Sequence, residues 1–395
     1  MGESAPARKG IAMKRWKVVY LGILVPALVV GLGIWNPFDR AVALTRAGRP
    51  ATPTYRVDPF WPKPLPVEAS QISPTTNMPK PWVTGDVAGT CIDSQDHVFT
   101  VNRGNLVSPE TVIAVASPPI LEFDREGNVV NAWGDRNVLP NGLHGCFVDY
   151  QDNVWIAGNG DGIVQKYTHD GSRLLLQIGT RGVCDTDSGA CGSPGRNTSR
   201  TLLDQPADMA VDPANGEVYI ADGYGNHRVV VFSANGTYLR QWGSSGLGPG
   251  QFQPADGGHP HCVALSRDGL VYACDRGSDR IQVFTKAGDL VRIIPVKPGT
   301  GVGGLGTAGS AWDVDFSQDW RQTFMFEVDG GNEILWIFDR AAATILGGFG
   351  RPGHGAGEFT FLHTVSVDSK GNLYTGETIN GRRIQRWVRH GADND

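Results

Sequence analysis

The amino-acid sequence predicts an all-β fold, a six-bladed β-propeller, on three observations. Glycine provides 53 of the 395 residues and tryptophan 11, a composition typical of many short strands and tight turns. A unit of about 40 residues recurs, with four short apolar stretches separated by turn residues, which is the length and strand count of a propeller blade. Six such units align along the chain, and closing them into a ring hides their strand edges.

Composition excludes several classes of protein. Hydrophobic residues make up 40% of the chain and charged residues 19%, so the chain is not a disordered one. The net charge is −5, and its 35 basic and 40 acidic residues are spread along the sequence without a basic stripe. We therefore expect no nucleic-acid partner.

Residues 1–45 are predicted to be a signal peptide or an N-terminal membrane anchor. Basic residues precede Val18–Trp35, a stretch that contains no charge and reaches the lower limit for spanning a bilayer. Positive charge before such a segment places the rest of the chain outside the cytoplasm. The protein is expected to be membrane-anchored if the segment is retained, and secreted or periplasmic if it is cleaved.

The remaining chain divides into a linker, a ring and a tail. Residues 46–82 are proline-rich and are predicted to wrap onto the domain as a linker. The propeller is assigned to residues 83–389 and a polar tail to 390–395. The sixth unit supplies only three strands, so we predict that residues 54–57 provide its missing outer strand.

One repeat position points to a metal site. The residue that opens the first strand of each unit is, from unit one to unit six, Ala88, His144, Ala207, His261, Trp312 and His363. First strands line the channel of a propeller, and the three histidines occur in alternate units. Their imidazoles are therefore predicted to converge on the axis, and three convergent imidazoles with an open fourth position are typical of catalytic zinc.

A second set of residues lies at the same end of the predicted channel. The loop after the second strand carries Arg103 in unit one, Tyr224 in unit three and Arg276 in unit four. Two guanidinium groups and a phenol above a metal suit a substrate that bears a carboxylate. The alternative is that these arginines only form salt bridges between blades.

Residues 54–389 resemble NHL-repeat propellers, and several stretches resemble peptidyl-α-hydroxyglycine α-amidating lyases. These stretches include NRGN, PHCVAL, DRGSDRIQVF and PADMAVDPANGEVYIADGYGNHRVVVFS. The resemblance implies zinc, or another divalent transition metal, on His144, His261 and His363, a catalytic Tyr224, and substrate-side roles for Arg103 and Arg276. The implied reaction converts a peptidyl-α-hydroxyglycine into a peptide amide and glyoxylate. The expected partner is a small-molecule or peptide substrate with a carboxylate, and the protein is expected to be a monomer.

The resemblance also implies a structural calcium ion, but one ligand position departs from the family. Backbone carbonyls of Thr90 and Cys146 would contribute, together with an aspartate that directly follows the third histidine. Thr364 occupies that aspartate position here. A neutral ligand lowers calcium affinity, so calcium is less well supported than zinc.

Six cysteines in an exported chain suggest disulfides. Cys184 and Cys191 bracket a short loop and are expected to pair, whereas Cys262 and Cys274 are neighbours across a hairpin. Cys91 and Cys146 lie on inner strands of adjacent units and either pair or remain free.

Two other functions fit the same pattern. The three-histidine site can support a different hydrolase or hydratase reaction on the same metal. Alternatively, the chain is a non-catalytic NHL propeller that binds a protein or a glycan, because a fold alone does not determine function.

Overall fold

The computed structural model describes residues 51–192, 194–255, 257–301 and 308–391. The predicted signal or anchor segment and most of the tail lie outside the described residues. Within these ranges, no helix combines the length and apolarity needed to cross a membrane.

The described strands form six four-stranded sheets and one small three-stranded sheet. The chain first forms β1 (Thr54–Asp58), β2 (Val67–Ile72) and β3 (Pro79–Val83). Sheet one begins with β4 (Val87–Ile92) and β5 (Val98–Asn102); a helical turn (Glu110–Ile113) and β6 (Val115–Ala116) follow, and β7 (Ile120–Phe123) and β8 (Val129–Trp133) complete it.

Sheets two to five are each built from four consecutive strands. Sheet two contains β9 (Leu143–Val148), β10 (Val154–Gly158), β11 (Val164–Tyr167) and β12 (Leu174–Ile178). Sheet three contains β13 (Pro206–Val211), β14 (Val218–Asp222), β15 (Arg228–Phe232) and β16 (Tyr238–Trp242). Sheet four contains β17 (Val263–Leu265), β18 (Leu270–Asp275), β19 (Arg280–Thr285) and β20 (Leu290–Pro295), with a 3₁₀ turn at Arg276–Ser278. Sheet five contains β21 (Asp313–Phe316), β22 (Phe324–Asp329), β23 (Ile334–Asp339) and β24 (Thr344–Phe349).

The sixth sheet joins the two ends of the described chain. Its last three strands are β25 (Leu362–Val367), β26 (Leu373–Glu377) and β27 (Ile384–His390). The outer position is filled by β1, which pairs antiparallel with β27 from Thr54 opposite His390 to Asp58 opposite Arg386. The segment that the sequence analysis assigns to the missing strand thus lies at this edge.

Apolar clusters connect neighbouring sheets around a ring. First strands such as β4 and β25 are almost wholly buried, whereas fourth strands such as β12 and β20 are largely exposed. Six hydrophobic clusters each join two consecutive sheets, and one of them joins sheet six to sheet one. The fold is therefore all-β and propeller-like, with the buried first strands facing a central channel.

A tryptophan of the linker closes the junction between the last and first sheets. Trp61 is 4% exposed, and its ring lies 5.5 Å from Phe123 and 4.9 Å from Tyr374 between ring centroids. Burying such a large side chain contributes a few kcal/mol, roughly 2–3. The linker therefore packs on the domain, as the sequence analysis expects.

All six cysteines are paired. Disulfides join Cys91 to Cys146, Cys184 to Cys191, and Cys262 to Cys274. The first bond links the inner strands of sheets one and two, which decides the question that the sequence left open. Three disulfides are compatible with an extracellular location.

Candidate metal centre

Three histidines meet at one end of the central channel. His144, His261 and His363 come from the first strands, or the residues just before them, of sheets two, four and six. All three are 4% exposed or less, and their ring centroids lie 4.6–5.0 Å apart. Their candidate ligand atoms all lie within 4.8 Å of one another. The structure thus brings together the three histidines that the sequence analysis predicts as metal ligands.

Each imidazole is held by the next sheet in the ring. The Nδ1 atoms of the three histidines donate to backbone carbonyl oxygens at 2.8, 2.7 and 2.8 Å; the acceptors are Ala207, Trp312 and Ala88 respectively. These acceptors are the same repeat position in sheets three, five and one. Because Nδ1 carries the proton, the Nε2 lone pair of each ring is left free to bind a metal.

Electrostatics keeps the three rings neutral. Burial lowers the pKa of His144, His261 and His363 well below the ordinary value, and nearby arginines lower it further. A neutral imidazole is the form that ligates a metal. Three nitrogen donors, each held by a hydrogen bond from its ring to a backbone carbonyl, fit a divalent transition metal such as zinc.

Tyr224 lies directly over the histidines. Its hydroxyl oxygen is 3.0 Å from Nε2 of His144 and 3.2 Å from Nε2 of His261. The residue sits in the turn between β14 and β15, where its backbone N–H donates to the carbonyl of Gln205. The phenol is therefore within hydrogen-bond reach of the point on which the ligand atoms converge.

Two glycines explain how the turn places this tyrosine. A Cβ on Gly223 would overlap the carbonyl oxygen of Pro260, and a Cβ on Gly258 would lie 2.8 Å from the His261 ring and 3.0 Å from the Tyr224 ring. Gly258 also has a φ of +85°, in the left-handed region that favours glycine. Side chains at these positions would displace Tyr224.

Arg276 is buried beside the tyrosine and forms no ion pair with a carboxylate of the described residues. Its guanidinium carbon lies 4.3 Å from the ring centroid of Trp312 and 5.6 Å from that of Tyr224. The residue is 5% exposed, and its Nε atom has no hydrogen-bond partner among the described residues. Burial lowers the pKa of Arg276. A buried guanidinium between two aromatic faces is suited to bind an anion that enters the site.

Arg103 approaches from the opposite side but is already paired. Its Nη1 lies 3.3 Å from the Asp86 carboxylate, and its Nε donates to the carbonyl of Leu143 at 2.9 Å. The side chain is 26% exposed. Its positive charge nevertheless lowers the pKa of His144 and His363. Arg103 therefore forms a salt bridge, as the alternative interpretation of these arginines expects. Arg276 forms none with the described residues.

Below the histidines, the channel widens into a cavity of about 230 Å³ lined by the first strands. Thr90 and Cys146 line it, as does Thr364, whose hydroxyl donates to Asp313 at 2.8 Å. Burial raises the pKa of Asp313 to about 6 and also raises that of Asp208. Thr364 is therefore engaged with a carboxyl group of the neighbouring sheet, and the fit for calcium remains poorer than the fit for zinc.

Some functional contacts were not foreseen from the sequence. Asp86 pairs with Arg103, and the imidazole Nδ1 of His259 accepts a hydrogen bond at 3.0 Å from the backbone N–H of Gly277, which follows Arg276. Both residues lie two positions before a first-strand repeat position, so the repeat alignment itself offered the signal. Asp86 balances the charge of Arg103, and His259 holds the backbone of the turn that carries Arg276.

The comparisons with known proteins support the repeat assignment. A family model described as the NHL repeat matches residues 203–232 and 258–284. The chain is 26% identical over 355 residues to the mouse "NHL repeat-containing protein 3", covering 85% of this chain and 84% of the relative. A solved structure described as "Streptogramin B lyase structure" aligns with a TM-score of 0.50 at 12% identity, covering 78% of this chain and 94% of that one. That structural likeness concerns the fold alone.

Other relatives carry names that state an activity. The chain is 26% identical over 348 residues to the Drosophila melanogaster "Peptidyl-alpha-hydroxyglycine alpha-amidating lyase 2", covering 82% of this chain and 77% of the relative. It is 30% identical over 230 residues to the Xenopus laevis "Peptidyl-glycine alpha-amidating monooxygenase B", covering 53% of this chain but only 24% of that longer protein. The chain therefore contains NHL repeats, and its homologues include peptidyl-α-hydroxyglycine amidating lyases.

Proposed function

We propose that this protein is an exported, metal-dependent lyase on a six-bladed propeller. It would cleave the C–N bond of a peptidyl-α-hydroxyglycine, or of a similar N-acyl hemiaminal, to give an amide and glyoxylate. The observation that carries the proposal is the convergence of three imidazoles, with unprotonated Nε2 atoms, beneath the Tyr224 hydroxyl. The lyases among the homologues supply the reaction class.

The metal site would be His144, His261 and His363. A zinc ion or another divalent transition metal supplies Lewis acidity, which favours ionisation of a hydroxyl group placed next to it. The carbonyls that accept from the three Nδ1 atoms hold the rings in the ligating orientation. No calcium is required by this proposal.

Tyr224 is the proposed base. Its oxygen would take the proton of the substrate's α-hydroxyl as the hydroxyl carbon becomes a carbonyl and the C–N bond breaks. The electron pair of that bond goes to the amide nitrogen, which takes the transferred proton back from the Tyr224 hydroxyl and leaves as the amide. The Arg276 guanidinium carbon lies 5.6 Å from the centroid of the phenol ring, close enough for its charge to stabilise negative charge that develops on the reacting oxygens.

The arginines would bind the carboxylate that becomes part of glyoxylate. Arg276 is the principal candidate because its guanidinium is buried and makes no ion pair with a described carboxylate. Arg103 would contribute long-range positive charge while it stays paired with Asp86. A guanidinium group can bind a carboxylate through two parallel hydrogen bonds, which fixes its orientation.

The setting of the enzyme follows from the same proposal. Three disulfides favour an extracytoplasmic location, and we propose that the enzyme acts there as a monomer. It would be attached to a membrane through residues 18–35 if that segment is retained.

The proposal is tested by metal content and product formation in the purified full-length chain. Elemental mass spectrometry is expected to find transition metal bound at the three-histidine site, and α-hydroxyhippurate is expected to release glyoxylate. His261→Ala should abolish glyoxylate release and that metal binding, because two imidazoles hold zinc far more weakly than three. Exposed His354 provides a matched control, since His354→Ala should leave both unchanged.

The possible outcomes separate the competing functions. Metal without glyoxylate release would overturn the lyase assignment and leave a metalloenzyme of another reaction class. A folded protein that takes up no metal at this site, even when zinc is offered, would overturn the metal site as well. The non-catalytic binding propeller would then be the better description.

A further inference from the structure

A second group of metal-ligating side chains lies at the opposite end of the fold from the three histidines. The turn between β4 and β5 carries Asp93 and His97, and β7 adds Glu122. The turn between β11 and β12 of sheet two adds His169. These four residues form the junction cluster, which contains two imidazoles and two carboxylates.

The nitrogen and oxygen atoms of the junction cluster lie close enough for one metal ion to bind them with small side-chain movements. Nδ1 of His97 lies 2.7 Å from Glu122 and 3.8 Å from Asp93, and Nε2 of His169 lies 2.8 Å from the same Asp93 oxygen. The ligand atoms of Asp93, His97 and Glu122 all lie within 4.8 Å of one another. Donors bound at about 2.0–2.2 Å around one tetrahedral zinc are separated by a little over 3 Å.

The equivalent junction between sheets three and four shows what this position does without a metal. Asp212 occupies the place of Asp93, and Lys286, in the turn between β19 and β20, occupies the place of His169. Their ammonium and carboxylate groups are 2.5 Å apart. In that junction a permanent cation balances the buried aspartate directly.

The junction cluster has His169 where the other junction has Lys286, and it contains a second carboxylate, that of Glu122. Asp93 and Glu122 have side chains that are 0% and 6% exposed, and within the described ranges neither forms an ion pair with lysine or arginine. The two carboxylates therefore lie in a largely buried place where no described lysine or arginine balances them. Burying such charges is costly unless they are paired or bind a cation.

We propose that the junction cluster is a second metal site, which binds a divalent transition cation such as zinc through Asp93, His97, Glu122 and His169. Two nitrogen and two oxygen donors match the ligands that zinc accepts, whereas calcium prefers oxygen alone. The ion replaces the charge that Lys286 supplies at the equivalent junction. It would join sheet one to sheet two on the face away from the channel mouth.

The cluster is open enough for an ion to enter. The side chains of His97 and His169 are 24% and 30% exposed, whereas both carboxylates lie beneath them. The His169 ring also packs edge-on against Phe99, with a centroid distance of 5.3 Å, which fixes its orientation. The site is therefore accessible and partly preorganised.

The test counts zinc in the full-length chain after equilibration with zinc and removal of unbound ion. His169→Lys recreates the aspartate–lysine pair of the other junction, so it should fold normally while losing one equivalent of zinc. In a His261→Ala background, which weakens the three-histidine site, one equivalent should remain and should disappear when His169→Lys is added. His354→Lys, at an exposed histidine outside the cluster, should change nothing.

Cobalt(II) offers an independent readout in the His261→Ala background. Four-coordinate cobalt bound to the junction cluster should give visible absorption bands that His97→Gln and His169→Lys both remove. An unchanged zinc count in His169→Lys would overturn the proposal. So would a His261→Ala protein that retains its fold, judged by circular dichroism, yet takes up no zinc.

Discussion

The two sides of the channel mouth carry arginines at equivalent repeat positions but treat their charges differently. On the side of sheets one and two, Arg103 is ion-paired with Asp86 and 26% exposed. On the side of sheets four and five, Arg276 is 5% exposed and lies between aromatic rings, with no ion pair to a described carboxylate. The charge of Arg103 is balanced by a carboxylate of the protein, whereas Arg276 has no such partner among the described residues.

This difference shows that a repeat position does not by itself define a role. Both arginines follow the second strand of their sheet, and both influence the pKa of the histidines. Only the environment separates an arginine that is held in place from one that is available. Three substitutions test this distinction and a fourth tests a buried carboxyl group in sheet five; they are taken from the largest expected effect to the smallest.

Replacing Arg276 by glutamine should cause the largest loss of activity. The substrate carboxylate would lose a buried charged partner, and truncating one member of such a pair costs roughly 2–5 kcal/mol. We expect kcat/KM for glyoxylate release to fall by on the order of 10²- to 10³-fold. Metal content should be unchanged, and a fall of less than threefold would contradict the assignment of the carboxylate to Arg276.

Replacing Glu327, which lies in β22 of sheet five, by glutamine should raise the free energy of unfolding. Both carboxylate oxygens of this buried residue lack a hydrogen-bond partner among the described residues, and burial raises its pKa well above the ordinary value. As pH rises past the ordinary pKa, the unfolded chain loses the proton while the folded protein keeps it. Stability therefore falls by up to about 1.4 kcal/mol per pH unit until the raised pKa is reached.

The glutamine variant lacks this loss because it does not titrate. Urea unfolding at pH 5 and pH 7 should show a variant advantage that grows with pH, reaching roughly 1–3 kcal/mol. An advantage that is the same at both pH values would contradict the burial of an unpaired carboxyl group at this position.

Replacing Arg103 by glutamine should reduce activity less than the change at Arg276. The Asp86 carboxylate already balances the charge of Arg103. Water around the partly exposed Arg103 side chain also weakens the attraction between its guanidinium and a substrate carboxylate. We expect kcat/KM to fall by roughly tenfold. If Arg103→Gln proves more damaging than Arg276→Gln, the comparison between the two sides is reversed.

Replacing Asp86 by asparagine should have the smallest effect of the four, and it should lower KM rather than raise it. Arg103 would keep its hydrogen bond to the Leu143 carbonyl but lose its charged partner. The freed guanidinium should bind the substrate carboxylate more strongly, so KM for α-hydroxyhippurate should fall by about twofold, an effect of less than roughly 1 kcal/mol. An increase in KM would mean that Asp86 positions Arg103 rather than neutralising it.

The repeats allowed much of the candidate site to be predicted from the sequence. Histidine at one strand position in alternate units predicted a convergence that requires no knowledge of side-chain contacts, and the structure places His144, His261 and His363 together. The same reasoning grouped Tyr224 with Arg276, which lie 5.6 Å apart from guanidinium carbon to ring centroid. It failed for Asp93 and His169, because their contact joins turns of different sheets.

The sequence alone determined the repeat and the residue types at the ring positions, because these are properties of local pattern and spacing. Only the tertiary structure decided how each position is used. Burial, pairing across sheets and the orientation of imidazoles by carbonyls from the next sheet all depend on residues far apart in the chain. Arg103 and Arg276 are alike in the sequence, and they differ because Asp86 lies beside one and Trp312 beside the other.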